Sequence, residues 1–213
     1  MSRPSVGLAL IAAMAGFAAL VFPSLPARIA VHWNWAGEVD GWMNRFPAAF
    51  LVPALALVLW ALLRWLPRLD PRVAHYESFW DTYHLLVNLI IFFLALVHAL
   101  VLGYALGWAV DVTSVVLALV GILFVVLGHY LPRVRSNWWL GVRTPWALES
   151  ERVWAETHRL AGRTFVAGGI VTVAAALLPH PLRPWVALAG LLLGGLTPAV
   201  YSYFSWRREH RAA

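Results

Sequence analysis

The sequence predicts an all-α integral membrane protein, a bundle of six transmembrane helices with both the N- and C-termini cytoplasmic. Three observations predict it. Of the 213 residues, 62% are hydrophobic and 12% are charged, and the mean hydropathy is +0.73. A soluble domain carries about 25% charged side chains, and so few polar groups could not cover its surface. Six runs reach or approach the ~20 apolar residues that a bilayer requires, and the arginines gather in alternate loops.

The apolar runs are 6–22, 48–66, 85–108, 112–130, 162–178 and 185–204. The first follows a positive start, as a signal peptide does. It is longer than the usual apolar stretch of ~7–15 residues and no small-x-small cleavage site follows, so an uncleaved first span is expected. The second and sixth contain Pro53 and Pro198, each an expected kink. The fifth is short, but the residues before it read as helix and extend it. Trp65, Trp108, Tyr130, Trp185, Tyr201 and Tyr203 stand near span ends, where amphipathic rings prefer to lie.

Every positive side chain is arginine, and the net charge is +6. Arg3, Arg64, Arg68, Arg72, Arg133, Arg135, Arg143, Arg152, Arg159, Arg163, Arg207, Arg208 and Arg211 lie at the termini and in the second and fourth loops. The other loops hold only Arg28, Arg45 and Arg183. This asymmetry puts the termini and those two loops in the cytoplasm. It accounts for the basic balance without a nucleic-acid partner, and the lipid bilayer is the expected partner instead. With no cysteine, disulfides, thiolate metal sites and cysteine catalysis are excluded.

Two polar loops interrupt this pattern. The outer one, "LPARIAVHWNWAGEVDGWMNRFP", begins as a short alternating extended segment and turns on its glycines. It brings His32, Asn34, Glu38 and Asp40 close together in sequence. His32, Glu38 and Asp40 could ligate a divalent ion, the one cofactor these residues admit. Alternatively Asn34 and Asp40 bond local backbone in a tight turn. Trp33 and Trp42, with Trp35, suit interfacial anchoring and also capture of an apolar peptide.

The inner loop, "HYLPRVRSNWWLGVRTPWALESERVWAETHRLAGR", ends the fourth span at Leu131. Gly141 is placed for a close approach or a positive φ, and Thr144-Pro145 for a helix cap and start. From Ser150 onward the spacing is helical, with Val153, Trp154, Thr157, His158 and Ala161 on one face. An interfacial amphipathic helix is one reading. Arg143, Glu151, His158 and Arg159 as a buried network or binding surface is the other. His84, Asn88, His98 and His129 are costly in lipid unless they face the bundle interior. Asp81, His84 and Asn88 share a helix face, as a proton or ion path or as interhelical bonds, with Asp81 and His84 near the cytoplasmic end where water reaches.

The two loops together resemble a known family. The I-x-V-H-W-N-x-x-G-E-x-D-G-W pattern is similar to an N-terminal membrane domain of unknown function, and N-W-x-x-G-x-R-T-P-W followed by S-x-x-x-W-x-x-T-H-x-x-x-G resembles the SdpI (YhfL) family. Glu149 departs from the small residue expected before Ser150. The resemblance implies two regions, 1–70 with the outer loop and 71–213 with the inner loop. It also implies a bacterial cytoplasmic-membrane immunity and signalling protein. Such a protein would meet a membrane-active peptide toxin through His32, Trp33, Asn34, Glu38, Asp40 and Trp42. A cytoplasmic repressor protein is the implied inner partner. The inner candidates are Asn137, Trp138, Arg143, Thr144, Trp146, Trp154, Thr157, His158 and Arg159. Two other readings of the residues are a metal-dependent membrane hydrolase using His32, Glu38 and Asp40, and a small solute or ion transporter using Asp81, His84, Asn88 and His98. The absence of an inverted repeat weighs against transport.

Overall fold

A computed structural model describes residues 5–212; Arg3, counted above with the cytoplasmic arginines, lies outside the described residues. The elements run α1 (Ser5–Val21), β1 (Arg28–Trp33), β2 (Val39–Asn44), α2 (Arg45–Trp65), α3 (Trp80–Ala105), α4 (Val112–Tyr130), α5 (Pro145–Glu149), α6 (Glu151–Ala175) and α7 (Arg183–Ala212), with short 3-10 turns between several of them. Apart from one two-stranded hairpin the protein is helical. Among the described residues five helices are long and apolar enough to cross a membrane: Val6–Ser24, Arg45–Leu69, Trp80–Ala105, Val112–Arg133 and Arg183–Arg211. α6 is not among them, because Glu151, Arg152, Glu156, Arg159 and Arg163 occupy its first half. It is nevertheless a single helix of 25 residues, about 37 Å long at the usual rise. α2 and α7 continue through Pro53 and Pro198.

α1, α2 and α3 pack as one group and α4, α6 and α7 as another, with α3 against α4. Glycine sets the second group's spacing. A Cβ added to Gly121 would lie 2.6 Å from the Gly169 carbonyl, and one added to Gly128 would lie 2.8 Å from the Gly162 carbonyl. The two glycine pairs let the α4 and α6 backbones approach where larger residues would hold them apart. Gly168 and Gly190 do the same for α6 and α7.

The polar loops lie at opposite ends of the bundle. The β1–β2 hairpin leads straight into α2, whose far end enters the turn carrying Asp70, and Asp70 touches the inner loop. At the hairpin end Asp111 caps α4 by accepting from the Ser114 N–H at 3.1 Å. The Arg183 guanidinium donates to Asp111 at 2.9 Å and to the Leu178 carbonyl at 3.1 and 3.2 Å. The starts of α4 and α7 are thereby tied to the end of α6. Burial opposes ionisation of Asp111, but the Ser114 hydrogen bonds and the Arg183 guanidinium outweigh it and hold the carboxyl down at about 2.

Candidate functional site

The inner loop is the most cross-linked polar region, and Asn137 organises it. Its side chain is fully buried. Its Oδ1 accepts from the backbone N–H groups of Trp139 at 2.9 Å and Leu140 at 2.7 Å, and Nδ2 donates to the carbonyls of Arg135 at 2.8 Å and Leu140 at 3.0 Å. One amide thus supplies the hydrogen bonds that an irregular buried backbone otherwise lacks. Asp70, 3% exposed, works from the opposite side. It accepts from the Trp138 N–H at 2.8 Å, the Arg72 N–H at 2.8 Å and the Tyr76 hydroxyl at 2.9 Å. Burial, together with the bond to Asp70, pushes the Tyr76 hydroxyl well above its ordinary pKa. Arg72 donates to the Ser136 hydroxyl and to the Leu148 carbonyl, the latter at 2.6 Å.

His158 latches this loop onto α6. Its Nδ1–H donates to the Trp154 carbonyl at 2.9 Å, and its Nε2 accepts from the Val142 N–H at 3.0 Å. Those two partners require the neutral ring. The ring is 1% exposed and stacks on Trp154 at 4.0 Å. Gly141, at φ +109°, has no Cβ, and one placed there would meet His158 Nε2. His158 stands ahead of the apolar part of α6, which begins near Gly162. Burial drives its pKa down to about 4, against the opposing bond to the Trp154 carbonyl. Trp154 donates its indole N–H to the Val134 carbonyl at 2.7 Å.

Local folding follows the sequence cues here. Thr144 caps α5 by accepting from the Ala147 N–H at 3.2 Å, with Pro145 in the first turn. Ser150 caps α6 by accepting from the Val153 N–H at 3.3 Å. Glu149, the departure from the family pattern, closes α5 and accepts from the Trp206 indole N–H at 2.8 Å.

Of the inner candidates, Asn137, Trp154, Thr157 and His158 are buried. Asn137, Trp154 and His158 bond the loop, the Thr157 hydroxyl has no hydrogen-bond partner among the described residues, and none of the four has a surface of its own. Thr144 is half-buried and shares a 2.7 Å hydroxyl contact with Ser202, and Trp146 meets the Tyr203 ring edge-on at 5.1 Å. The solvent-facing candidates are Trp138, Arg143 and Arg159. Arg143 donates to the Trp138 carbonyl at 2.8 Å.

In the outer hairpin, His32 Nδ1 lies 2.5 Å from Asp40 Oδ1. Glu38 instead accepts from the Asn34 side-chain amide at 3.0 Å, while Asn34 Oδ1 accepts from the Ala36 and Glu38 N–H groups at 2.9 and 3.0 Å. Gly37 takes φ +83° at the turn. His32 and Asp40 therefore pair across the strands, and Glu38 belongs to the turn. Among the described residues no three His, Cys, Asp or Glu groups are gathered to hold a metal ion. Trp33 packs edge-on against Tyr104 at 5.2 Å. Trp35, Trp42 and Phe46 are 66%, 53% and 67% exposed, an apolar aromatic surface on the hairpin and the start of α2.

Within the spans, His98 is buried in the bundle. Of the polar face nearer the helix start, Asp81 is exposed, and His84 bonds the Trp80 carbonyl at 2.8 Å. Asp70, Arg72 and Tyr76 were not anticipated as partners of the inner loop. The available signal was the turn-forming pair Asp70-Pro71 inside an arginine-rich loop.

A helical multi-span membrane protein with an aromatic hairpin at one end and a latched Arg-Thr-Pro-Trp loop at the other is thus defined. Residues 133–202 match the SdpI/YfhL protein family, and residues 9–57 match a domain of unknown function, DUF1648. The chain is thus similar to the SdpI/YfhL protein family in its C-terminal half and to DUF1648 in its N-terminal part. It is 19% identical over 189 residues to the immunity protein SdpI of Bacillus subtilis (strain 168), covering 89% of this chain and 88% of that protein. No solved structure matches.

Proposed function

We propose that this chain is an immunity protein of the bacterial cytoplasmic membrane, which meets a membrane-active peptide through its outer hairpin. The supporting observation is the exposed aromatic set Trp35, Trp42 and Phe46 on and beside a hairpin whose two strands pair with each other and whose turn is closed by Asn34. Large rings on a rigid turn present apolar area at low entropic cost, which suits an apolar peptide arriving at the bilayer surface. The similarity to a protein named for immunity supports the same reading. In this reading α6 is the sixth span, both termini are cytoplasmic, and the inner loop faces the cytoplasm. There Trp138 and Arg143 offer a surface to a cytoplasmic repressor protein.

The test is protection. The chain is expressed in a strain sensitive to a membrane-active peptide toxin, beside a Trp35→Ser, Trp42→Ser double variant, with insertion of both verified. Survival with the wild-type chain and its loss in the variant is the expected result. Killing unchanged by a correctly inserted wild-type chain would refute immunity to that toxin.

A further inference from the structure

We infer that the arginine-bearing end of α6 is a binding site for one anionic phospholipid. Two neighbouring features carry the inference, and both include Arg159 and Arg163. The first is a groove of about 570 Å³ between α6 and α7, where Arg152, Arg159, Arg163 and Arg208 face a single carboxylate, Glu156. Glu156 is already committed: it accepts from Ser205 at 2.6 Å and from Arg152 at 3.1 Å, and lies 3.8 Å from Arg208. Arg208 also donates to the Tyr201 hydroxyl at 2.9 Å. Among the described residues Arg159 and Arg163 make no hydrogen bond or ion pair, and both are exposed. They are one helical turn apart on the same face.

The second feature is an apolar groove of about 620 Å³ between α4 and α6. It starts at the same two arginines and runs along Gly162, Val166, Ala167 and Ile170. Its floor exists because Gly128 and Gly162 bring the two helices together. Ile170 at 58% exposure and Ala167 have no covering side chain.

A cationic lip that opens directly onto an apolar channel along a membrane helix has the polarity of a phospholipid. The guanidinium groups would receive the phosphate through paired N–H donors, and the channel would receive an acyl chain. A soluble anion would use only the lip. A zwitterionic lipid would gain less, because its choline meets the same arginines. This assignment goes beyond the immunity reading and does not depend on it.

The full chain in mild detergent is titrated with dioleoyl phosphatidylglycerol, dioleoyl phosphatidylcholine or inorganic phosphate. Lipid retention is read by native mass spectrometry and stability by tryptophan fluorescence. Phosphatidylglycerol is expected to be retained preferentially. An Arg159→Gln, Arg163→Gln double variant is expected to bind it about twenty-five-fold more weakly, two contacts each contributing about fivefold. Arg207→Gln with Arg211→Gln, the same charge loss further along the α7 tail, is expected to leave retention unchanged. Ala167→Trp fills the channel, keeps every charge, and is expected to abolish retention of the lipid. Three results would overturn the inference: equal retention of the two lipids, undiminished retention by the Arg159/Arg163 variant, or inorganic phosphate stabilising the chain as much as the lipid does.

Discussion

Acidification is expected to loosen the inner loop through one side chain, His158. The neutral ring accepts the Val142 N–H at Nε2 while donating from Nδ1 to the Trp154 carbonyl. A proton on Nε2 would turn that acceptor into a donor facing a donor, in a site with 1% exposure. The folded pKa of about 4 lies below the ordinary 6.5. Above the unfolded value neither state takes up the proton and the latch contributes in full. As pH falls from 6.5 the unfolded chain binds the proton first, so stability drains away until the folded ring also protonates near pH 4. The difference integrates to about 3 kcal/mol at the acid end and about 2 kcal/mol at about pH 5. A loss of that size lowers the melting midpoint by roughly 4–8 °C for a chain this long. The assay is thermal unfolding by tryptophan fluorescence at about pH 7 and about pH 5, for wild type and for His158→Gln. Other groups titrate equally in both proteins, so the difference between the two shifts isolates His158. Equal shifts would refute the latch.

Three further perturbations test the surrounding architecture. Gly141→Ala forces a side chain onto a φ of +109° and into His158 Nε2; a loss of about 3 kcal/mol is expected in the same unfolding assay. Asp70→Ala orphans the Trp138 and Arg72 N–H groups and the Tyr76 hydroxyl; about 3 kcal/mol of local stability is expected to go, seen as faster tryptic cleavage after Arg143. At the other end, Asp111→Asn keeps the α4 cap and removes the charge opposite Arg183. The carboxylate is 42% exposed, so screening limits the cost to about 1 kcal/mol or less and makes it salt-dependent. Asp111→Ala is expected to cost about 1 kcal/mol more by losing the cap as well.

Much of the helical frame was legible because its causes are local. Length and apolarity define a span, Thr144 with Pro145 defines a start, Ser150 defines a cap, and the positive φ of Gly141 was foreseen from its residue type alone. The hairpin was half legible: an alternating segment was expected, but the pairing of His32 with Asp40 depends on strand register and two bulges that no single strand encodes. Glu38 turns instead to Asn34, so it parts from the His32–Asp40 pair although all three are close in sequence. The inner loop was hardest to read, because its polar residues bond across 61 to 76 positions, from Asp70, Arg72 and Tyr76 to Ser136, Asn137, Trp138 and Leu148.

That long-range bonding changes what the family motif means physically. A sequence reader sees Asn137, Trp154, Thr157 and His158 as polar and aromatic groups in an apolar chain and infers a ligand. In the folded protein these four are buried, and the hydrogen bonds of Asn137, Trp154 and His158 go into holding an irregular backbone inside a helical bundle, where an unsatisfied amide costs more than in water. The motif therefore records the cost of folding this loop, and under the proposed function recognition falls to residues that it leaves exposed. Those are Trp138 and Arg143 within it and Arg159, next to His158 in the chain. A variant series that separates the two groups would show stability tracking the buried set and binding tracking the exposed one.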